Sequence, residues 1–415
     1  MNGRPRVLFI ARHFWPHGSI DSAGFAYRLA KSLRRDGIEL EVLTPRFASS
    51  WTDRLVVNEI PIHRPAVAPR SDWSMGRYTR HLMGWLRHHG KDFDVLMVDA
   101  IREESTAAIE TARSLGCSTL VRCSGWGWNS DTQWWEHHRG ASRCAAYGKL
   151  ADAIVAKSPQ CARSLIASGY PNDRIVRIDD GFSTGATPTS VMKRAARDSL
   201  ALANHDLKAE DEVPVVLCTS AMTRDGGIQS LVEAALPLVT RHPKLRIWLI
   251  GDGSYRDWIY QQLRSDGIRA SIAMPGSFSD CEDLFMAADV FLQPDESGLD
   301  YFLRLAVEKE LPIVTVDQPS IRNVLGGCSA QRDSHPQDDP AEFVTWISGA
   351  TAKMVRQGIG HVLDDLPTAR QNAGQLRKLM VRKHPHADTV QAYHDLVRRI
   401  INRSSGKSLS IGAVS

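Results

Sequence analysis

Long apolar runs are missing from this 415-residue sequence. The best, residues 7–11 and 313–316, are strand-sized, far short of the ~18 apolar residues of a membrane span. A leader pattern is missing too. Only five apolar residues follow the basic start before Arg12 and His13 intervene, so a signal peptide is not expected. Cysteine is sparse: seven residues, at 117, 123, 144, 161, 218, 281 and 328, with no Cys-x-x-Cys pair. That argues against a zinc site or disulfide framework and for a reducing, cytoplasmic setting. Charge of one sign does not dominate either. The balance of 51 Lys and Arg against 47 Asp and Glu leaves +4, which makes no case for nucleic acid. What is present, 43% hydrophobic and 24% charged residues, is ordinary for a globular chain. The length predicts two domains.

Short β-rich runs alternate with helical patterns. Residues 6–10 read as a buried strand, residues 24–36 as a helix with Phe25, Leu29 and Leu33 on one face, and residues 39–43 as the next strand. Further strands are predicted at 95–98, 119–122, 153–156 and 176–178. Residues 184–213, rich in Thr, Ser, Ala and charge, read as a linker with a short helix. The same grammar then restarts, with strands at 215–219, 245–250, 290–292 and 313–316 and helices at 228–240 and 301–309. Such repetition implies parallel sheets with helices on both faces. The expected class is therefore α/β: two Rossmann-like, doubly wound domains, residues 1–183 and 214–384, facing across a cleft. Ligands are expected beyond the carboxyl ends of the strands. Residues 385–404 predict an amphipathic helix packing back near the N-terminal domain, with Val390, Tyr393, Leu396, Ile400 and Ile401 at helical spacing. Residues 405–415 predict a disordered tail.

Three segments carry candidate chemistry. Residues 13–24 join the first strand to the first helix, and Gly18 and Gly24 permit tight turns there. This is not Gly-x-Gly-x-x-Gly, so a dinucleotide fingerprint is absent. The segment is either a cleft-lining loop or a plain β–α connection. Gly251, Asp252 and Gly253 end an apolar strand and let a ligand approach the backbone, or simply form a turn. Residues 288–312 run from a strand through Asp295, Glu296 and Asp300 into a helix that Ser297 or Gly298 can cap. A helix start suits a phosphate, and the acids suit hydroxyls of a sugar or ribose; acids in a first turn also serve the helix dipole alone.

These landmarks, in this order, resemble glycosyltransferase family 4 (group 1) enzymes of the GT-B fold. Residues 16–24 resemble the glycine loop opening the acceptor domain. Residues 94–99 resemble its Asp-led apolar strand, and residues 152–158 (DAIVAKS) a later strand. Residues 178–182 (IDDGF) stand where the family has Pro-Asn-Gly-Val. Residues 250–253, 288–294 (ADVFLQP) and 311–314 (LPIV) resemble segments of the second domain. The resemblance implies a nucleotide-sugar substrate, no cofactor, no metal and retention of anomeric configuration.

The donor motif is degenerate. Ser220-Ala221 stands where the family has Gly-Arg, and Gly226-Gly227 where it has Lys-Gly. Arg224 lies between them as a substitute phosphate ligand. Counting back from Pro312 puts Ser297 and Leu305 at the positions of the family's two Glu residues, while Asp300 and Glu308 keep the same gap, shifted by three. Ser124-Gly125 occupies the place of a His-Gly pair. The catalytic candidates are thus Arg224, Glu296, Asp300 and Glu308. The donor-binding candidates are Gly18, Gly24, Gly251, Asp252, Gly253, Ser297 and Gly298.

Trp126, Trp128, Trp134 and Trp135, with Asn129 and Asp131, form an acceptor-binding candidate, since aromatic faces stack on sugar rings. The other reading of these tryptophans is a local core. Residues 75–91 are basic and amphipathic, and suit either a peripheral contact with the inner face of a membrane or packing of one helix face. The expected function is transfer of a sugar from a nucleotide-sugar to a glycan or lipid-linked acceptor, in surface polysaccharide or glycolipid biosynthesis. The alternative is a catalytically degenerate GT-B pseudo-enzyme that binds a glycan or a partner transferase without turnover.

Overall fold

The computed structural model describes residues 3–138, 140–224, 226–326 and 339–411, with side chains through 403 except that of Trp128. Cys328 lies outside the described residues. The chain divides into two units: residues 1–14, 25–180 and 387–415, and residues 15–24 with 181–386. The loop after the first strand, read in the sequence as part of the first domain, belongs to the second unit.

In the first unit, β1 (Arg6–Ile10), β2 (Glu39–Leu43), β3 (Arg54–Val57), β4 (Ile60–His63), β5 (Val95–Asp99), β6 (Ser118–Arg122), β7 (Ala153–Ala156) and β8 (Ile175–Arg177) form one sheet, ordered β3-β4-β2-β1-β5-β6-β7-β8. Every neighbouring pair is parallel except β3 with β4. Val7 to Ile10 and Val95 to Val98 are buried completely or nearly so. Continuous apolar strands of this kind belong to parallel sheets covered on both faces. Phe25, Leu29 and Leu33 are buried on the helix Asp21–Arg35, which begins three residues earlier than its apolar pattern. The C-terminal helix is held in this unit by Thr389 Oγ1, which donates to the Asp179 carbonyl at 2.8 Å, and by His394 beside Asp36. That helix runs His386–Ile411, so most of the stretch read as a tail is helical; residues 412–415 lie outside the described residues.

In the second unit, β9 (Val215–Cys218), β10 (Arg246–Ile250), β11 (Ile272–Gly276), β12 (Val290–Gln293), β13 (Ile313–Val316) and β14 (Thr345–Ile347) form an all-parallel sheet, ordered β11-β10-β9-β12-β13-β14. The stretch read as a linker with a short helix contains a helix of 14 residues, Ser190–Ala203, capped by the Thr189 hydroxyl. Its buried side is Ala196, Leu200 and Arg197. The guanidinium of Arg197 pairs with buried Asp289 at 2.8 Å.

Candidate functional site

In the second sheet the strand order reverses between β9 and β12, the switch point at which doubly wound sheets bind ligands. Two loops leave the carboxyl ends there. One runs from Thr219 to Gly227 ahead of the helix Ile228–Arg241, and the other from Pro294 to Tyr301 ahead of the helix Phe302–Glu308.

Asp295 ties the two loops together. Its carboxylate accepts hydrogen bonds from Ser220 Oγ at 2.5 Å, from the Gly227 N–H at 2.9 Å and from the Ser297 N–H at 2.8 Å, and it also meets the Ser297 hydroxyl. The Gln293 amide donates to the Asp295 carbonyl at 2.7 Å and to the Ser297 carbonyl. Glu296 accepts from the Ser320 hydroxyl. Gly298 sits at φ +81° in the turn that follows.

A second carboxylate caps the helix after β12. Asp21 Oδ2 accepts from the Asp300 N–H at 2.9 Å, and its Oδ1 from the N–H groups of Tyr301 at 2.8 Å and Phe302 at 3.0 Å. These are orphan donors of a helix start. Burial and the carboxylate of Asp300 push the Asp21 pKa up to about 6, against the opposing pull of the three N–H groups. Close approach explains both glycines flanking Asp21. A Cβ on Gly18 would lie 2.5 Å from the Ser279 carbonyl oxygen, and one on Gly24 would lie 2.3 Å from the Tyr301 ring. Gly24→Val should therefore lower stability by about 1–3 kcal/mol through overpacking. An unchanged melting temperature would show that Tyr301 is not seated on this glycine.

The remaining sequence candidates fall as follows. Arg224 is exposed and makes no ion pair among the described residues. Asp300 is buried at the start of the helix Phe302–Glu308, and Glu308 at its end, where Oε1 accepts from the Ser183 N–H at 2.6 Å. Asp300 lies in the turn ahead of this seven-residue helix and Glu308 is its last residue, so the shifted acidic pair stands at opposite ends of the helix. Leu305 and Phe302 are buried in the same helix. Gly251, Asp252 and Gly253 follow β10. The Asp252 carboxylate accepts from the Gly253 N–H at 2.8 Å, and Gly253 packs on Met222. Arg256, which sequence reading missed, reaches the carbonyls of Gly251 at 3.4 Å and Met274.

In the first unit the acceptor candidates follow β6. Asp131 is wholly buried, and its carboxylate accepts from the N–H groups of Ile101 and Ser124, both at 2.8 Å, and from Arg102 Nε at 3.2 Å. Trp135 donates Nε1 to the Ile101 carbonyl at 3.0 Å and stacks on Tyr170. Trp126 is buried beneath the Lys157 ammonium. These three are engaged inside the unit. Trp134 is half-buried between Arg102 and His138, and Asn129 is exposed; the side chain of Trp128 lies outside the described residues.

Deeper at the same edge, Arg122 is wholly buried, with Asp99 and Asp180 each at 2.9 Å and its guanidinium carbon 3.7 Å from the centre of the Phe25 ring. No sequence signal marked this group, whose members lie up to 58 residues apart in the bonded pairs.

Residues 23–181 match the model for the glycosyl transferase 4-like domain, and residues 213–353 the model for glycosyl transferases group 1. A curated relative, the lipopolysaccharide core biosynthesis glycosyltransferase LpsE of Rhizobium meliloti, is 26% identical over 147 residues. That match covers 35% of this chain and 38% of the relative's length. Among solved structures, sucrose-phosphate synthase from Thermosynechococcus elongatus has a TM-score of 0.70 at 14% identity, over 96% of this chain and all of that one. HepE of Anabaena in complex with UDP-glucose has a TM-score of 0.65 at 13% identity, over 95% of this chain and 99% of that one. Likeness at such identity speaks for the fold, that of the GT-B glycosyltransferases. The two domain matches together span most of the chain, which thus carries a glycosyl transferase 4-like domain ahead of a glycosyl transferases group 1 domain.

Proposed function

We propose that this protein transfers a sugar from a nucleotide-sugar to a glycan or lipid-linked acceptor, with retention, in surface polysaccharide or glycolipid assembly. The observation that carries it is the group 1 domain match over residues 213–353, which takes in both loops at the switch point. The kinship with a lipopolysaccharide core transferase supports the setting, and the UDP-glucose held by a structure of the same fold supports the donor class. Transfer needs charge stabilisation on the departing diphosphate. Arg224, exposed and without an ion-pair partner among the described residues, is the cation for that role. No side chain acts as nucleophile in this scheme, and the leaving phosphate helps take the proton from the acceptor hydroxyl.

No helix among the described residues is long and apolar enough to cross a membrane. Tyr78, Leu82 and Leu86 of the helix Asp72–His89 are buried. A contact with an anionic lipid surface would use its outer residues, Arg77, Arg80 and Arg87 beside exposed Trp73.

A second reading, a pseudo-enzyme without turnover, is favoured by one specific observation. The carboxylates of Asp295 and Asp21 already hold the N–H groups of Gly227 and of Asp300 to Phe302. Titration calorimetry with a panel of nucleotide-sugars of different bases separates the two readings. The transferase reading expects saturable binding weakened about 10- to 100-fold in Arg224→Ala, the worth of one charge-assisted contact. A folded protein that binds no nucleotide-sugar would overturn it in favour of the second.

A further inference from the structure

The second unit has a cavity of about 490 Å³ away from the carboxyl-end loops. It is lined by the start of the helix Ser190–Ala203, by Asp289 just ahead of β12, by Leu311 and Pro312 just ahead of β13, and by Arg370. It therefore opens at the amino-terminal edge of the sheet. Its volume falls in the range of small-molecule sites.

The charges in this cavity do not balance. Asp289 is buried and receives three cations at once: Lys193, Arg197 and Arg370. One carboxylate against three cations leaves an excess of two positive charges. The other ionic residues of the lining do not offset it, since Arg194 pairs with Asp211, Lys309 with Glu282 and Glu310 with Arg377. Arg197 is fully engaged, donating also to the carbonyls of Ala287, Glu210 and Val213. Lys193 and Arg370 are not: Lys193 donates to the Ala288 carbonyl and Asp289, and half-exposed Arg370 to Asp289 alone among the described residues. Burial and the neighbouring arginines hold the Lys193 pKa below its ordinary value although Asp289 pulls it up. The helix beside them contributes its positive end and has no acidic residue in its first turn.

We propose that this cavity binds a phosphomonoester dianion, with Lys193 and Arg370 as its ligands, and that the molecule carrying the phosphate is a sugar. A dianion matches the excess charge, and guanidinium and ammonium donors suit phosphate oxygens. The lining contains no aromatic side chain on which a base would stack, while Thr189, Ser190 and Glu310 offer partners for hydroxyls. The site stands apart from the donor loops and does not depend on the reading of them.

Calorimetry at low salt with ribose 5-phosphate, AMP and inorganic phosphate tests this on the full chain. Saturable binding of ribose 5-phosphate is expected, tighter than that of AMP or inorganic phosphate. It should weaken at least tenfold in Arg370→Ala and stay unchanged in Arg224→Ala. Arg370 is half-exposed, and its removal leaves Asp289 paired with Arg197 and Lys193; Lys193→Gln serves as the second variant. No binding, or binding in both variants as tight as in the wild type, would overturn the proposal and leave the three cations as a structural clamp on Asp289. AMP binding more tightly than ribose 5-phosphate would overturn the sugar assignment. Loss in Arg224→Ala instead of Arg370→Ala would place the ligand at the other end of the sheet.

Discussion

Arg122→Met is expected to destabilise the first unit by about 3–5 kcal/mol, because it removes the guanidinium that pairs with two buried carboxylates. Arg122, Asp99 and Asp180 are all buried, and each carboxylate stands 2.9 Å from a separate guanidinium nitrogen. For a unit of this size the melting temperature should fall by roughly 6–20 °C. Arg122→Lys keeps the charge but loses the planar fork that spans both partners, so it should recover only part of the loss. The triple change Arg122→Met, Asp99→Asn and Asp180→Asn should recover more, since replacing a whole buried ionic group is far less damaging than breaking it. Thermal unfolding of the four proteins decides the matter. A single Arg122→Met change costing under about 1 kcal/mol would mean that the carboxylates find water, and that the group is not sealed.

The second large effect is a pH dependence of unusual sign. The Asp21 carboxyl has a folded-state pKa of about 6 against an ordinary 3.8. The folded state therefore holds this proton more tightly than the unfolded chain does. Between about pH 4 and 6 the folded state binds more protons, so the contribution of this group to stability falls as pH rises. Below pH 4 both states are protonated, and the penalty vanishes. Above pH 6 both are ionised, and it reaches its full size, about 3 kcal/mol for a shift of this order. Asp21→Asn keeps an acceptor for the helix N–H groups and removes the charge. The stability of Asp21→Asn minus that of the wild type should thus grow from pH 4 to pH 6 and be flat on either side. Denaturant melts at four or five pH values measure this difference. A difference that shrank over that window would show that the three N–H groups dominate over burial and Asp300, and that the carboxyl is an ordinary salt-like cap.

The parts of the fold read from sequence are those with a local signal. Apolar runs such as Val7 to Ile10 and Ile313 to Val316 are buried central or near-central strands, and length and composition mark such strands directly. The missed strands have weaker signals. β3 and β4 join through Asn58 and Glu59, both at positive φ, a turn whose usual mark is Asn-Gly. β11 contains Pro275 and β14 has three residues, and both are edge strands, where proline and short length are tolerated. At the candidate site, the loss of the family's cations was plain in Ser220-Ala221 and Gly226-Gly227. The carboxylates that bind these loops together were not. Asp295 stood in the crowded turn, but its bonds to Ser220 and Gly227 span 75 and 68 residues. Asp21 lay between two flagged glycines, yet its partners are 279 to 281 residues away. Contacts at such separation leave no periodicity or spacing to read.

The seat of Asp21 has a consequence for affinity. A carboxylate tethered by its own chain competes with any free anion for the same three N–H groups at an effective concentration set by the tether, on the order of millimolar even for a flexible one. If the tethered group is displaced only 1% of the time, for example, the apparent dissociation constant of a free anion is about a hundredfold weaker than its intrinsic value. If an anionic group of the proposed donor uses these N–H groups, whatever loosens the residue 18–24 segment from Ser279 and Tyr301 would act as a gain control, changing its affinity without touching it.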